Sequence, residues 1–114
     1  MPVTIRRRLT RPSELVLCNY VTSPTVMVRR ACYERVGPYA VELGNFSEDW
    51  EMWLRIALYY DLAYTAVPVA KYRWHDQSIS AATARAVHWT RGELRTLQRI
   101  FSQFASQVPG GKIL

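Results

Sequence analysis

Cysteine is scarce in this sequence: Cys18 and Cys32 are the only two. They are too far apart for a C-x-x-C site and have no second pair, which excludes a zinc cluster and a dithiol redox motif and fits free thiols in a reducing cytosol. Nowhere do about 18 apolar residues run uninterrupted, so no membrane-spanning helix is expected. The basic start is followed by no apolar stretch of signal-peptide length, so secretion by that start is not expected either. Internal repeats and low-complexity segments are absent. Lysine is nearly missing as well: thirteen of the fifteen cations are arginine. The planar guanidinium fork suits phosphate and carboxylate better than an ammonium point charge does.

What the chain does have is material for a core. Of 114 residues 49% are hydrophobic, with four Trp, seven Tyr and three Phe, while 21% are charged. That describes one folded domain at most, with a modest core. The net charge of +6 favours anionic partners such as phosphates, nucleic acid or an acidic membrane surface.

Turn residues and periodicity divide the chain. Residues 1–12 read as an extended basic lead-in, residues 13–106 as the domain, and residues 107–114, which include Pro109-Gly110-Gly111, as a flexible tail. Ser13 caps a short helix over residues 14–18. Residues 24–28 read as a strand, and residues 29–36 as a helix ended by Gly37-Pro38. A further helix begins near Ser47, with Trp50, Trp53, Leu54 and Ala57 on one face and Glu51 paired with Arg55 outside. Its cap is either Asn45, boxed with Glu48, or Ser47. Residues 62–67 read as a strand, and residues 69–73 as a second extended stretch after Pro68. A long helix over residues 80–105 carries Val87, Leu94, Leu97, Phe101 and Phe104 on one face and Arg91, Arg95 and Arg99 on another, weakened by Gly92. Strands alternating with helices make this an α/β reading.

Two constellations admit chemistry. Glu48 and Asp49 stand at a helix start after a glycine-containing loop, where a carboxylate can take a proton from an attacking hydroxyl; the helix dipole alone also accounts for acids there. Residues 72–80, Tyr-Arg-Trp-His-Asp-Gln-Ser-Ile-Ser, bring an arginine and a histidine into a polar loop before a helix. Arg73 suits a diphosphate, His75 a metal, and Trp74 ring stacking. Local hydrogen bonding of His75 and Asp76, with Ser78 or Ser80 as a cap, explains the same residues without a ligand.

In order, three segments resemble the second half of family 2 glycosyltransferases of the GT-A fold. Asn19 and residues 23–30, followed by Tyr33 to Gly37, are similar to that family's strand and R-R-x-x-[YF]-x-x-x-G helix. Residues 48–55, Glu-Asp-Trp-Glu-Met-Trp-Leu-Arg, are similar to its E-D-x-[ED]-[LM]-W-x-R segment. Tyr72-Arg73-Trp74-His75 with Ser78 and Ser80 is similar to its Y-R-x-H-x-x-S-x-S ending. The resemblance spans about residues 14 to 82.

It implies a partial GT-A-type, Rossmann-like α/β fold: a few strands with flanking helices and a long C-terminal helix. It also implies transfer of a sugar, with inversion, from a nucleoside-diphosphate sugar to a sugar or lipid-linked acceptor. Asp49 would be the catalytic base and Glu48 would position acceptor or base. Arg73, Trp74 and Ser78 would bind substrate and diphosphate, and His75 would face a divalent metal, Mg or Mn. No D-x-D motif or Gly-rich phosphate loop is present, so the nucleotide-binding half is missing and these residues alone are expected to be inactive. The exposed sheet edge would be buried by a homodimer or a partner chain. A cytoplasmic location follows, with peripheral contact at the inner membrane surface open. The rival reading is a non-catalytic basic binding module working through the Arg91, Arg95 and Arg99 face, although nucleic acid is not the expected partner.

Overall fold

The computed structural model describes residues 12–44, 47–85, 88–104 and 106. The lead-in before Pro12, the tail from 107, and Asn45 with its proposed capping box lie outside the described residues. Among the described residues five helices follow one another: α1 (Pro12–Leu17), α2 (Arg30–Val36), α3 (Glu48–Ala57), α4 (Ile79–Arg85) and α5 (His88–Phe104), with short 3-10 turns at Ser23–Thr25 and Val41–Leu43.

Among the described residues there is no β-strand, which overturns the α/β, Rossmann-like expectation. A strand exists only as one side of a hydrogen-bonded ladder. Pro24 instead opens a 3-10 turn closed by the bond from Val26 N to Ser23 O. Residues 61–75 run without regular structure, with one bend at Val67. The β-forming side chains are there, but no second described backbone lies alongside them.

The helices form where their ends are encoded. Proline opens α1, where the missing N–H costs nothing. Gly37 closes α2 at φ 85°, and its N–H donates to Tyr33 O at 2.8 Å. A side chain at that φ would be strained. The single long helix expected over residues 80–105 is described as α4 and α5.

α3 is the central element, buried continuously from Trp50 to Ala57. Leu15 of α1, Cys32 of α2 and Ile100 of α5 belong to the same apolar cluster as Trp50, Met52, Trp53, Leu54 and Ile56. Each fully buried aliphatic side chain of this kind contributes about 1.5–3 kcal/mol. Trp50 Nε1 donates to Leu15 O at 2.7 Å, which fixes α1 to α3 by a bond as well as by packing.

Being surrounded, α3 buries its charges. Glu51 is 0% exposed and Arg55 is 2% exposed, so their pair is internal and the expected outside placement was wrong. Arg55 Nη2 donates to Glu51 Oε2 at 2.9 Å. Its Nε lies 2.8 Å from Oε1, close enough for charge pairing but off the line of a hydrogen bond. The other guanidinium donors go to Val36 O and Pro38 O, both at 2.6 Å, just past the end of α2. Arg99 of α5 adds a bond from Nε to Glu51 Oε1 at 3.0 Å and a contact to Glu42.

The contact between α3 and α5 also departs from expectation. Leu97 and Phe104 pack against the core as the spacing predicts, and Gly92, Thr96 and Ile100 are buried as well, whereas Leu94 and Phe101 point outward. Ser47 precedes α3 but does not cap it with its side chain. Its single hydroxyl proton goes to Gly92 O at 3.0 Å, so Thr96 Oγ1 donates to Ser47 Oγ at 2.6 Å. Small residues at 92 and 96 let the helices meet closely enough for these bonds.

Among the described residues no helix is long and apolar enough to cross a membrane. Removing one partner of a buried pair strands the other charge. Glu51→Ala is therefore expected to lower stability by about 3–5 kcal/mol in urea unfolding. Arg99→Ala, which leaves Arg55 on Glu51, is expected to cost no more than about 1 kcal/mol.

Candidate functional site

The start of α3 and the loop before α4 face each other across a cavity of about 730 Å³. One wall is Glu48 and Asp49 with residues of the segment between α1 and the first 3-10 turn, notably Asn19 and Ser23. The other is Tyr72, Arg73, His75, Gln77, Ser78 and Ser80. Five of the six residues singled out in the sequence thus line one cavity: Glu48, Asp49, Arg73, His75 and Ser78. Trp74 is not among the lining residues; it is 64% exposed, with its ring 6.5 Å from that of Tyr72.

Asp49 is held at both oxygens. Asn19 Nδ2 donates to Oδ1 at 3.2 Å, Ser23 Oγ donates to Oδ2 at 2.9 Å, and the Trp50 N–H donates to Oδ1 at 2.6 Å. A carboxylate restrained in this way has a defined orientation while keeping lone pairs for a further hydroxyl, which is the geometric requirement for a general base. Asn19 and Ser23 had no role assigned in the sequence. They lie 30 and 26 residues before Asp49, and no local pattern marks such a distance.

On the opposite wall the bland role of Ser78 is realised: its Oγ accepts from Ala81 N at 3.1 Å, capping α4. The Ser78 N–H donates to His75 O at 3.0 Å, so residues 75–78 form a turn, and both His75 and the preceding Arg73 line the cavity. Tyr72 OH and Ser80 Oγ are hydrogen-bonded at 2.8 Å, tying the approach to this turn onto α4. The cavity therefore has an acidic wall and a basic wall. It can take a ligand with a hydroxyl at one end and an anionic group at the other, and its size lies within the range of small-molecule sites.

Among the described residues no three His, Cys, Asp or Glu side chains are grouped as a metal site. His75 could supply one ligand, but the residues described do not complete a metal site by themselves.

Tyr39 stands close to the acidic pair. Its phenol is pushed up to about 12 by partial desolvation, by its hydrogen bond with Tyr33, by the Tyr33 charge, and by the charges of Asp49 and Glu48. Its ring also packs edge-on against Trp53, at 6.5 Å between centroids. Tyr39 therefore keeps its proton throughout the neutral range, so its O–H remains a donor, while its oxygen can also accept.

No family model, curated protein or solved structure matches this chain.

Tyrosinate absorbance should reveal one residue titrating near pH 12 rather than near 10, and Tyr39→Phe should remove that step. Because folding raises this pKa, its contribution to stability is complete below about pH 10 and is lost as pH rises through about 12. Chemical unfolding followed across that window should show the decline in wild type and a smaller one in Tyr39→Phe.

Proposed function

We propose that this chain is the acceptor-side part of an inverting glycosyltransferase that takes its sugar from a nucleoside-diphosphate sugar. The observation carrying this reading is the one cavity shared by Asp49 and by Arg73 with His75, which are separated in sequence but face each other. In the proposed reaction Asp49 takes the proton of the acceptor hydroxyl as that oxygen attacks the anomeric carbon. The bond from that carbon to the diphosphate oxygen breaks on the opposite side, which inverts the configuration. Arg73 and His75 receive the charge that collects on the departing diphosphate. Asn19 and Ser23 hold the base, and Glu48 orients the acceptor. A divalent ion, Mg or Mn, remains an expectation for the complete enzyme, and no step here runs through it. The acceptor is a sugar or a lipid-linked sugar, and the reaction carries with it a cytoplasmic setting, at the inner membrane surface where the acceptor is lipid-linked.

The exposed segment between α3 and α4 supports the part played by a second chain or a preceding nucleotide-binding half. Tyr64, Val67, Val69, Tyr72 and Trp74 are all exposed there, and residues 61–74 make no backbone–backbone hydrogen bond to another described residue. A segment with strand-forming side chains whose only described backbone hydrogen bond is the local one from Val67 N to Thr65 Oγ1 is suited to completing a sheet elsewhere. Of the three arginines of the rival basic module, Arg99 is engaged by Glu51 and Glu42, which leaves Arg91 and Arg95 to face outward.

Calorimetric titration of the full chain with nucleoside diphosphates and their sugars tests the basic wall. Weak binding is expected, reduced about tenfold or more in Arg73→Ala and in His75→Ala, the loss of one charge-assisted hydrogen bond. Asp49→Asn should leave it unchanged. Heat indifferent to Arg73 and His75, or no heat with any donor, would remove the donor side of the reading from this chain.

A further inference from the structure

The outward face of α5 carries an unused pattern. Leu94 and Phe101, which helical periodicity would turn inward, are 55% and 39% exposed because Gly92, Thr96 and Ile100 take the inward positions. Seven residues apart, they fall on one line along the helix. At about 100° per residue, Arg91, Gln98, Ser102 and Arg95 occupy the adjoining sector, and all four are exposed. No exposed described position of α5 is acidic. Glu93 is half-buried with an interaction of its own, and Arg99 is turned to Glu51 and Glu42. Arg91 and Arg95 make no ion pair with a described residue.

We propose that this face docks on an anionic lipid bilayer, with the helix lying in the plane of the surface. Leu94 and Phe101 enter the boundary between headgroups and acyl chains, and the Arg91 and Arg95 stems lie along it while their guanidinium groups reach lipid phosphates. Arg91 and Arg95 lie opposite the side of α5 that packs into the core, and on that outward side they adjoin Leu94 and Phe101, so cationic and apolar side chains are offered to one surface together. Two apolar side chains are also far too little for a stable protein interface, which takes about 800 Å² from each partner. A shallow interfacial helix needs less, because each arginine near an anionic surface adds its own attraction. Nucleic acid would use the cations but has no place for Leu94. This surface is argued independently of the cavity and of the glycosyltransferase reading.

Cosedimentation of the full chain with vesicles decides the matter. Binding is expected to vesicles of phosphatidylcholine mixed with phosphatidylserine and not to phosphatidylcholine alone, and to weaken as salt is raised. Arg91→Ala with Arg95→Ala should lower the partition constant about 30-fold. Leu94→Ser with Phe101→Ser should lower it too while leaving the salt dependence in place. All four side chains are exposed, so the fold should persist, as circular dichroism would record. If the wild-type chain stays in the supernatant with the mixed vesicles, the proposal falls. It falls equally if either double variant binds like wild type, or if the chain binds duplex DNA as tightly as the mixed vesicles and the Leu94 and Phe101 changes affect neither.

Discussion

The buried carboxylate of Glu51 is the point through which the helices are held in register. Arg55 neutralises it from one turn away on α3, and the same guanidinium then holds the two carbonyls that end α2. Arg99 reaches it from α5 and extends the network to Glu42. Burying two such charges is costly, and the cost is offset only when nearly every donor and lone pair finds a partner. That condition restricts the angles and offsets at which α2, α3 and α5 can meet. Apolar packing around Met52, Leu54 and Ile100 tolerates a family of arrangements; the ion network selects among them.

The same helix connects this anchor to the candidate site. Glu51 and Asp49 are two residues apart, so on a helix they project to nearly opposite sides. One enters the network and the other faces the cavity, held by Asn19, Ser23 and the Trp50 N–H. The acidic wall is therefore mounted on the best-buried element of the protein. The basic wall is built differently, from a turn after a long exposed segment, fastened by the Ser78 cap and the Tyr72 to Ser80 bond. A site with one rigid wall and one lightly fastened wall is suited to being completed from outside.

Local chemistry was legible where a residue acts on its immediate neighbours. Gly37 ends α2 because, after its N–H makes the last helical bond to Tyr33 O, its backbone turns to a φ of 85° that residues with a side chain avoid. The helix over Glu48–Ala57 follows from its apolar spacing, and acids gather in its first turn as the dipole favours. The pairing of Glu51 with Arg55 follows from four-residue spacing, but its depth does not, since spacing says which side chains meet and not what covers them. In α5 the periodicity pointed to Leu94 and Phe101. Gly92 and Thr96 were passed over because small and polar residues carry no hydrophobic signal, although they allow close approach to Ser47.

The grouping of Glu48 and Asp49 with Arg73 and His75 could be anticipated only through resemblance. The strands could not be settled from the residues at all, because β-propensity describes a side chain's fit to a sheet and a ladder needs a second backbone. By itself the sequence determined most of the helical segments, the glycine turn after α2 and which charged residues are candidates for site chemistry. Tertiary structure alone decided that Glu51 and Arg55 are internal, that α5 turns its small residues inward, that Asn19 and Ser23 restrain Asp49, and that residues 61–74 join no ladder with another described segment. Each of those depends on contacts between residues distant in the chain, for which local pattern carries no information.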